Sequence, residues 1–344
     1  MTTSTSLSQI IADPSCMDDY DPNSMPVVKA RQFIKQFLDP VTETETLHIR
    51  ASLGRVLAAD ILSPADVPNY DNSAMDGYAF NADDINLDKP TSLKVAGSAF
   101  AGKAFAGKLS RGECVRIMTG GMMPERADTV IMQERVKVEG NNISFTDSPK
   151  RAINVRRAGE DLRQGQTVLA VGHMIRAADL GLVASLGIGE VAVYRKLKVA
   201  FFSTGDELAS VGETLKTGQV YDSNRYTLFG MLSRLGVEII DLGAIPDDLS
   251  LLESTLLAAS GQADVVITSG GVSVGEADYM KLLLDQYGQI VFWKIAMKPG
   301  RPLAYGKIGN AHYFGLPGNP VAVMVTFYQF VREAMLILMG QPNP

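Results

Sequence analysis

Cysteine is almost missing from this chain of 344 residues: only Cys16 and Cys114 occur, too few for a disulfide framework. Histidine is as scarce. His48, His173 and His312 stand singly, so no zinc spacing exists and ligation of a transition metal by side chains is not expected. Positive charge is in deficit, with 32 Lys and Arg against 38 Asp and Glu, a net charge of -6. The cations are also dispersed, whereas nucleic acid needs a basic face to neutralise phosphate, so no nucleic-acid partner is expected. No basic segment followed by an apolar run opens the chain, and residues 1–25 are polar and of mixed composition. They read as a flexible, cytoplasmic N-terminus without a targeting signal. Long apolar runs are missing too. Ala177 to Tyr194 carries Asp179, Glu190 and three glycines, which does not suit a span of about 20 apolar residues, so no membrane crossing is expected.

What is present is ample core material. Hydrophobic residues make up 46% of the chain, and its length predicts two or three domains at roughly 150 residues each. Residues 26–38, PVVKARQFIKQFL, place Val28, Phe33, Ile34 and Phe37 on one helical stripe. From Thr46 to about Gly159, short β-rich runs such as LKVAG, ECVRIMTG and NISF alternate with turns and predict a small β domain. From Leu197 onward, strand-like runs (KVAFFST, VEIIDLG, DVVITSG, IVFWKIA) alternate with helical ones (Arg225 to Leu235, LSLLESTLLAA). That order predicts βαβ units and a mostly parallel sheet, whose ligands bind beyond the carboxyl ends of its strands.

The loops expected at those ends are STGDEL (203–208), AIPDD (244–248), TSGGVSVGEADY (268–279), KPGRP (298–302) and GLPGNP (315–320), all but the fourth between a strand and a helix. Gly270 and Gly271 let backbone approach a ligand closely, and the helix beyond offers free N–H groups, a combination suited to phosphate. Glu207, Asp247, Glu276 and Asp278 bring carboxylates to the same edge. They would repel an anion unless a hard cation lay between, so the residues predict Mg2+. Lys294, Lys298 and Arg301 supply positive charge for phosphate or a second oxyanion. Asp222 and Asp248 stand where helix N-caps belong. Outside this region DNSAMDGYAF (71–80), RIMTGGMMPERADTVIMQE (116–134) and RRAGEDLRQGQ (156–166) combine acids with turn residues, which β-turn chemistry also explains.

Taken in order, NSAMDGYA, RIMTGGMMPERADTVIMQE, RRAGEDL, FFSTGDEL, YDSNR, TSGGVSVGEADY, MKPGRPLAYG and GLPGNPVA closely resemble the MoeA family of molybdopterin molybdenumtransferases, related to the gephyrin E domain. The resemblance covers roughly residues 26 to 340. It implies a multidomain α/β plus β protein: a discontinuous helical linker domain (26–64 and 160–196), a β-rich domain (65–159) and a three-layer α/β domain (197–340). Family members usually continue into a further β-rich module beyond GQPNP, so a chain lacking that module is expected.

The implied activity is insertion of molybdenum from molybdate into adenylylated molybdopterin with release of AMP, assisted by Mg2+. The resemblance assigns catalytic roles to Asp247, Asp278, Glu207, Asp76, Thr119 and Asp161, with Asp247, Asp278 and Glu207 on the cation side. It assigns the pterin-phosphate cradle to Ser269, Gly270, Gly271, Ser273, Gly275 and to Pro317, Gly318, Asn319 and Pro320. Lys294, Lys298 and Arg301 are assigned to the oxyanions. It also implies a homodimer whose second subunit presents Asp76, Thr119 and Asp161 across the cleft, and a molybdopterin adenylyltransferase as partner. A scaffold of the gephyrin type and the adenylylation reaction itself are the alternative readings. GVSVG matches the bare G-x-S-x-G spacing, but without a partner histidine it does not make a hydrolase.

Overall fold

In a computed structural model of the protein, residues 24–86, 88–271 and 279–344 are described. The chain divides into two compact units: the residues up to Ala59 together with Val171–Pro344, and the intervening Asp60–Ala170. The expected linker segments are split by this division. Residues 26–59 and 171–196 lie with the α/β unit, residues 60–64 and 160–170 with the β unit.

The intervening unit is built on six strands: β1 (Gly77–Phe80), β2 (Thr91–Ala99), β3 (Glu113–Ile117), β4 (Thr129–Met132), β5 (Lys137–Glu139) and β6 (Asn142–Phe145). Their order is β4-β1-β3-β2-β6-β5. All pairs are antiparallel except β2 with β3. Side chains alternate across the sheet, as a two-residue period demands. Tyr78, Phe80, Cys114, Ile131, Ile143 and Phe145 fill one apolar cluster, while Ala79, Val115, Ile117 and Val130 fill another. The unit is closed by Ile61–Leu62 pairing antiparallel with Thr167–Leu169, which zips its two ends together.

The other unit holds a sheet of β7 (Lys198–Thr204), β8 (Glu238–Ile245), β9 (Val265–Ser269), β10 (Gly288–Lys294), β11 (Pro302–Ile308) and β12 (Ala311–Leu316), in the order β8-β7-β9-β12-β11-β10. The first four strands in that order are parallel, and β11 and β10 then add two antiparallel pairings. Its helices are α1 (Val27–Lys35), α2 (Ala177–Ser185), α3 (Ser223–Leu235), α4 (Leu249–Gln262), α5 (Tyr279–Tyr287), α6 (Pro320–Thr326) and α7 (Arg332–Leu338). The buried strands read as near-continuous apolar runs because both faces are covered. Val199, Phe201, Ile267, Tyr305 and Phe314 pack with α1, α3, α6 and α7 on one face. Ala200, Phe202, Val266, Ala304 and Tyr313 pack with α4 and α5 on the other.

The most apolar long segment is Pro320–Leu338 rather than Ala177–Tyr194. By length and composition its 19 residues could cross a bilayer, with a mean hydropathy of 1.6. Here 56% of it is buried, and Val323, Phe327, Val331 and Met335 fill the core beside α1 and α3. Its middle, Phe327–Val331, is a π-helical turn between α6 and α7.

Candidate functional site

The carboxyl ends of the parallel strands carry the polar chemistry, and adjacent residues of β7 divide it between two directions. Ser203 and Thr204 follow each other in an extended strand, so their side chains leave opposite faces. The Ser203 hydroxyl donates to Asp222 Oδ1 at 3.0 Å. The Thr204 hydroxyl donates to Asp247 Oδ1 at 2.6 Å, and the Asp247 N–H donates to Asp206 Oδ1 at 3.0 Å. Thus the β7 loop and the β8–α4 loop are tied through two acids. Asp222 also caps α3, accepting from the Arg225 N–H at 3.1 Å, and Asp248 caps α4 through the Leu251 N–H at 2.8 Å. STGDEL does not lead straight into a helix: Leu208–Ala209 first pairs with Val220–Tyr221. Within that loop Gly205 sits at φ 148, and a Cβ there would collide with the Glu207 carboxylate.

At the end of β9, Asn224 from α3 donates through Nδ2 to Ser269 Oγ at 2.9 Å and to the Gly318 carbonyl at 2.7 Å. One amide therefore joins α3, β9 and the β12–α6 loop. Asn224 Oδ1 and Asp222 Oδ2 are buried and have no hydrogen-bond partner among the described residues. Gly270 and Gly271 adopt φ of +90 and +64. A Cβ on Gly270 would stand 2.6 Å from the Thr204 carbonyl oxygen, and one on Gly271 would stand 2.7 Å from Met280 Cγ. Only glycine fits this turn. Ser273, Gly275, Glu276 and Asp278 lie outside the described residues.

In the β12–α6 loop Pro317 is buried, while Gly318, Asn319 and Pro320 are exposed. Asn319 Oδ1 is engaged as a helix cap by the Val321 and Ala322 N–H groups at 3.0 and 3.2 Å, leaving its amide nitrogen for other partners. Lys294 ends β10, and Lys298 and Arg301 follow it. Two strand reversals restore its direction, so Lys294 ends at the same edge as Leu316. It stands three strands from Ser269, about 14 Å at ordinary strand spacing. Lys294 and Lys298 are exposed and Arg301 is half-buried. Among the described residues no group of three or more His, Cys, Asp or Glu side chains could hold a metal ion. The expected gathering of Glu207 and Asp247 with Asp278 lies partly outside the described residues, since Asp278 falls in the undescribed segment.

In the β unit the three motif segments form one corner. Asn72–Ser73 pairs with Val155–Arg156, the Ser73 N–H donates to the Gly121 carbonyl at 3.0 Å, and the Met123 N–H to the Asp71 carbonyl at 2.9 Å. Asp76 Oδ1 accepts both the backbone N–H and the hydroxyl of Thr119, each at 2.8 Å. Those two donations, the backbone one first, hold the Asp76 carboxyl below the usual carboxylate range. Asp161 accepts from Arg156 Nη2 at 2.5 Å, while Arg156 Nε reaches Glu160 at 2.7 Å. Asp71 receives Arg157 Nη1 at 2.5 Å and the Ala158 N–H at 2.8 Å. The structure thus places Asp76 directly on Thr119, with Asp161 on the adjoining turn.

Residues 25–187 match the model of the MoeA N-terminal region, domains I and II, and residues 200–336 match a probable molybdopterin binding domain. The chain belongs to the MoeA family. It is 50% identical to a molybdopterin molybdenumtransferase of Haemophilus influenzae over 91% of this chain and 77% of that protein. To one of Nostoc sp. it is 39% identical, over 88% of this chain and 71% of that protein. A solved MoeA structure from Pyrococcus horikoshii, 31% identical, superposes with a TM-score of 0.79 over 91% of this chain and 79% of that one. Thr204, Asp206 and Asn224, which tie these loops together, are residues that sequence patterns did not single out. Their partners lie 20 or more positions away, so no local spacing announces them.

Proposed function

We propose that this enzyme transfers molybdenum from molybdate to adenylylated molybdopterin, releasing AMP, as the last step of molybdenum cofactor assembly in the cytoplasm. The observation that carries this reading is the convergence of the β7, β8, β9 and β12 loops, linked by Thr204–Asp247 and Asn224–Ser269–Gly318. The Gly270–Gly271 turn lets the backbone approach a phosphate closely, the Gly270 N–H itself being spent on the Leu316 carbonyl at 3.1 Å, and Ser269, its oxygen held by Asn224, keeps its hydroxyl hydrogen to donate there. Asn319 presents its amide nitrogen and Lys294, Lys298 and Arg301 the positive charge for the oxyanion.

Asp247, positioned by Thr204 and the Asp206 carboxylate, faces the anhydride side. Mg2+ takes one or two carboxylates and completes its shell with water and substrate phosphate, so Asp247 with Asp278 fits it without a cage of three ligands. When bound it would neutralise charge developing on the cleaved phosphate. Asp76, Thr119 and Asp161 serve the same reaction from the second chain of a homodimer, with a molybdopterin adenylyltransferase supplying the substrate.

The test is AMP release from adenylylated molybdopterin by purified protein with Mg2+, with molybdate added or omitted. Molybdate-dependent release is expected; release that ignores molybdate would overturn the transferase reading. Mixing Asp278→Asn with Thr119→Ala chains should restore part of the lost activity if the site is shared, and none if it is not.

A further inference from the structure

On the face of the α/β unit formed by the C-terminal end of α3 and the π-helical turn lies a cavity of about 420 Å³, separate from the strand ends. It is large enough for a small organic ligand, by the usual range of such sites. Its floor is apolar and pliable, with Met174, Met231, Leu235 and Leu336, and its wall carries Phe327 and Tyr328. Those two rings meet edge to face at 5.8 Å. Four cations also line it: Arg55, Lys196, Arg234 and Arg332. None of the lining residues is acidic.

The cations are not equivalent. Arg55 is buried and already engaged, donating to Glu45 at 2.5 Å and to the Tyr194 carbonyl at 2.6 Å. Lys196, Arg234 and Arg332 are exposed. No hydrogen-bond or ion-pair partner meets their side chains among the described residues. Arg234 stands in the last turn of α3, where it offsets the negative end of the helix dipole, so the surplus charge is carried chiefly by Lys196 and Arg332. Three cations lining one cavity with no acid among its lining residues give it a positive potential that favours an anion. The Phe327–Val331 turn is where the helix departs from α geometry, a distortion that proteins often keep at functional sites.

We propose that this cavity is a binding site for a nucleoside phosphate, its phosphate held by Lys196, Arg234 and Arg332 and its base against the exposed Tyr328 ring, which the buried Phe327 supports. A carboxylate would leave most of the charge unmatched, whereas a phosphate monoester carries nearly two negative charges at pH 7 and geometry suited to the Arg fork. Inorganic phosphate would leave the apolar floor and the rings uncovered. The site is distinct from the strand edge, so its occupancy does not depend on the transferase reading.

The experiment is hydrogen exchange on the intact protein with AMP, adenosine or inorganic phosphate, followed peptide by peptide. AMP is expected to protect residues 231–236 and 327–336, and adenosine and phosphate to do so only at concentrations about tenfold or more higher, because each lacks one half of the interaction. Lys196→Glu with Arg332→Glu should weaken that protection about tenfold or more, as loss of charged hydrogen bonds requires. The same double variant should leave exchange at 203–208 and 265–271 unchanged. Protection of 231–236 and 327–336 that survives charge reversal, or that fails to appear with AMP, would overturn the proposal. Failure of the transferase reading would show instead in AMP release.

Discussion

Gly270 carries a steric restriction that can be tested alone. Alanine there must adopt a φ of +90 and bring its methyl to 2.6 Å from the Thr204 carbonyl oxygen. The expected cost is about 2–4 kcal/mol, from backbone strain together with displacement of an atom that belongs to a core strand. Urea unfolding of Gly270→Ala measures it, and an unchanged midpoint would show that the turn is not held this tightly. Asp247→Asn keeps shape but loses charge, and AMP release should fall about 100-fold or more, the scale of losing a group that stabilises developing charge. Thr204→Val should lower it less, because it removes only the hydroxyl that orients the carboxylate. Sequence made the acids, the glycines and both helix caps legible, since Asp222 and Asp248 stand directly before helices. Thr204 and Asn224 were not legible, because each acts on an atom from a different strand or loop, and only the folded sheet brings those together.

Among elements, β12 holds the titration that should govern moderate acid sensitivity. His312 is 6% exposed, its Nδ1 3.2 Å from the Tyr305 hydroxyl. Burial first, and the nearby Lys307 charge second, push it from 6.5 down to about 4. The unfolded chain binds this proton near pH 6.5 and the folded one only near 4, so stability falls as pH drops through that interval. The loss should approach about 3 kcal/mol at pH 4, and His312→Gln should flatten the slope of unfolding free energy between pH 6.5 and 4. Further acidification titrates Asp264. Burial alone would raise its carboxyl, but the bidentate contacts of Arg195 at 2.7 and 2.8 Å and the Lys198 N–H hold it below the usual range. Its contribution is therefore lost below about pH 4. The alternating strands and amphipathic helices of this unit were readable from their periods. The reversal of β11 was not, since an apolar strand buried on both faces has the same pattern in either direction.

For the whole molecule, the insertion of Asp60–Ala170 between two parts of the other unit predicts separability. The segment has its own apolar clusters, and its ends are joined by the pairing of Ile61–Leu62 with Thr167–Leu169. A protein of residues 60–170 should fold alone and melt in one cooperative transition; calorimetry that finds no transition would contradict this. The apolar composition of Pro320–Leu338 illustrates the limit of reading the whole from a segment, because length and hydropathy fit a bilayer while packing buries it against a sheet.

The salt-bridged contact of α1 with α7 also sets a timetable for synthesis. Arg31 and Lys35 meet Glu333 at 2.7 and 2.6 Å, and Phe33 and Ile34 pack in the cluster completed by β12 and α7. About 300 residues must be translated before those partners exist, which at 5–20 residues per second is roughly 15–60 s. Throughout that time the apolar stripe of α1 lacks the β12 and α7 surface that completes its cover, while the inserted β unit can finish folding. Nascent chains of this protein should therefore depend on a holdase at this helix, and the ribosome must translate past Leu338 before the α/β unit can close.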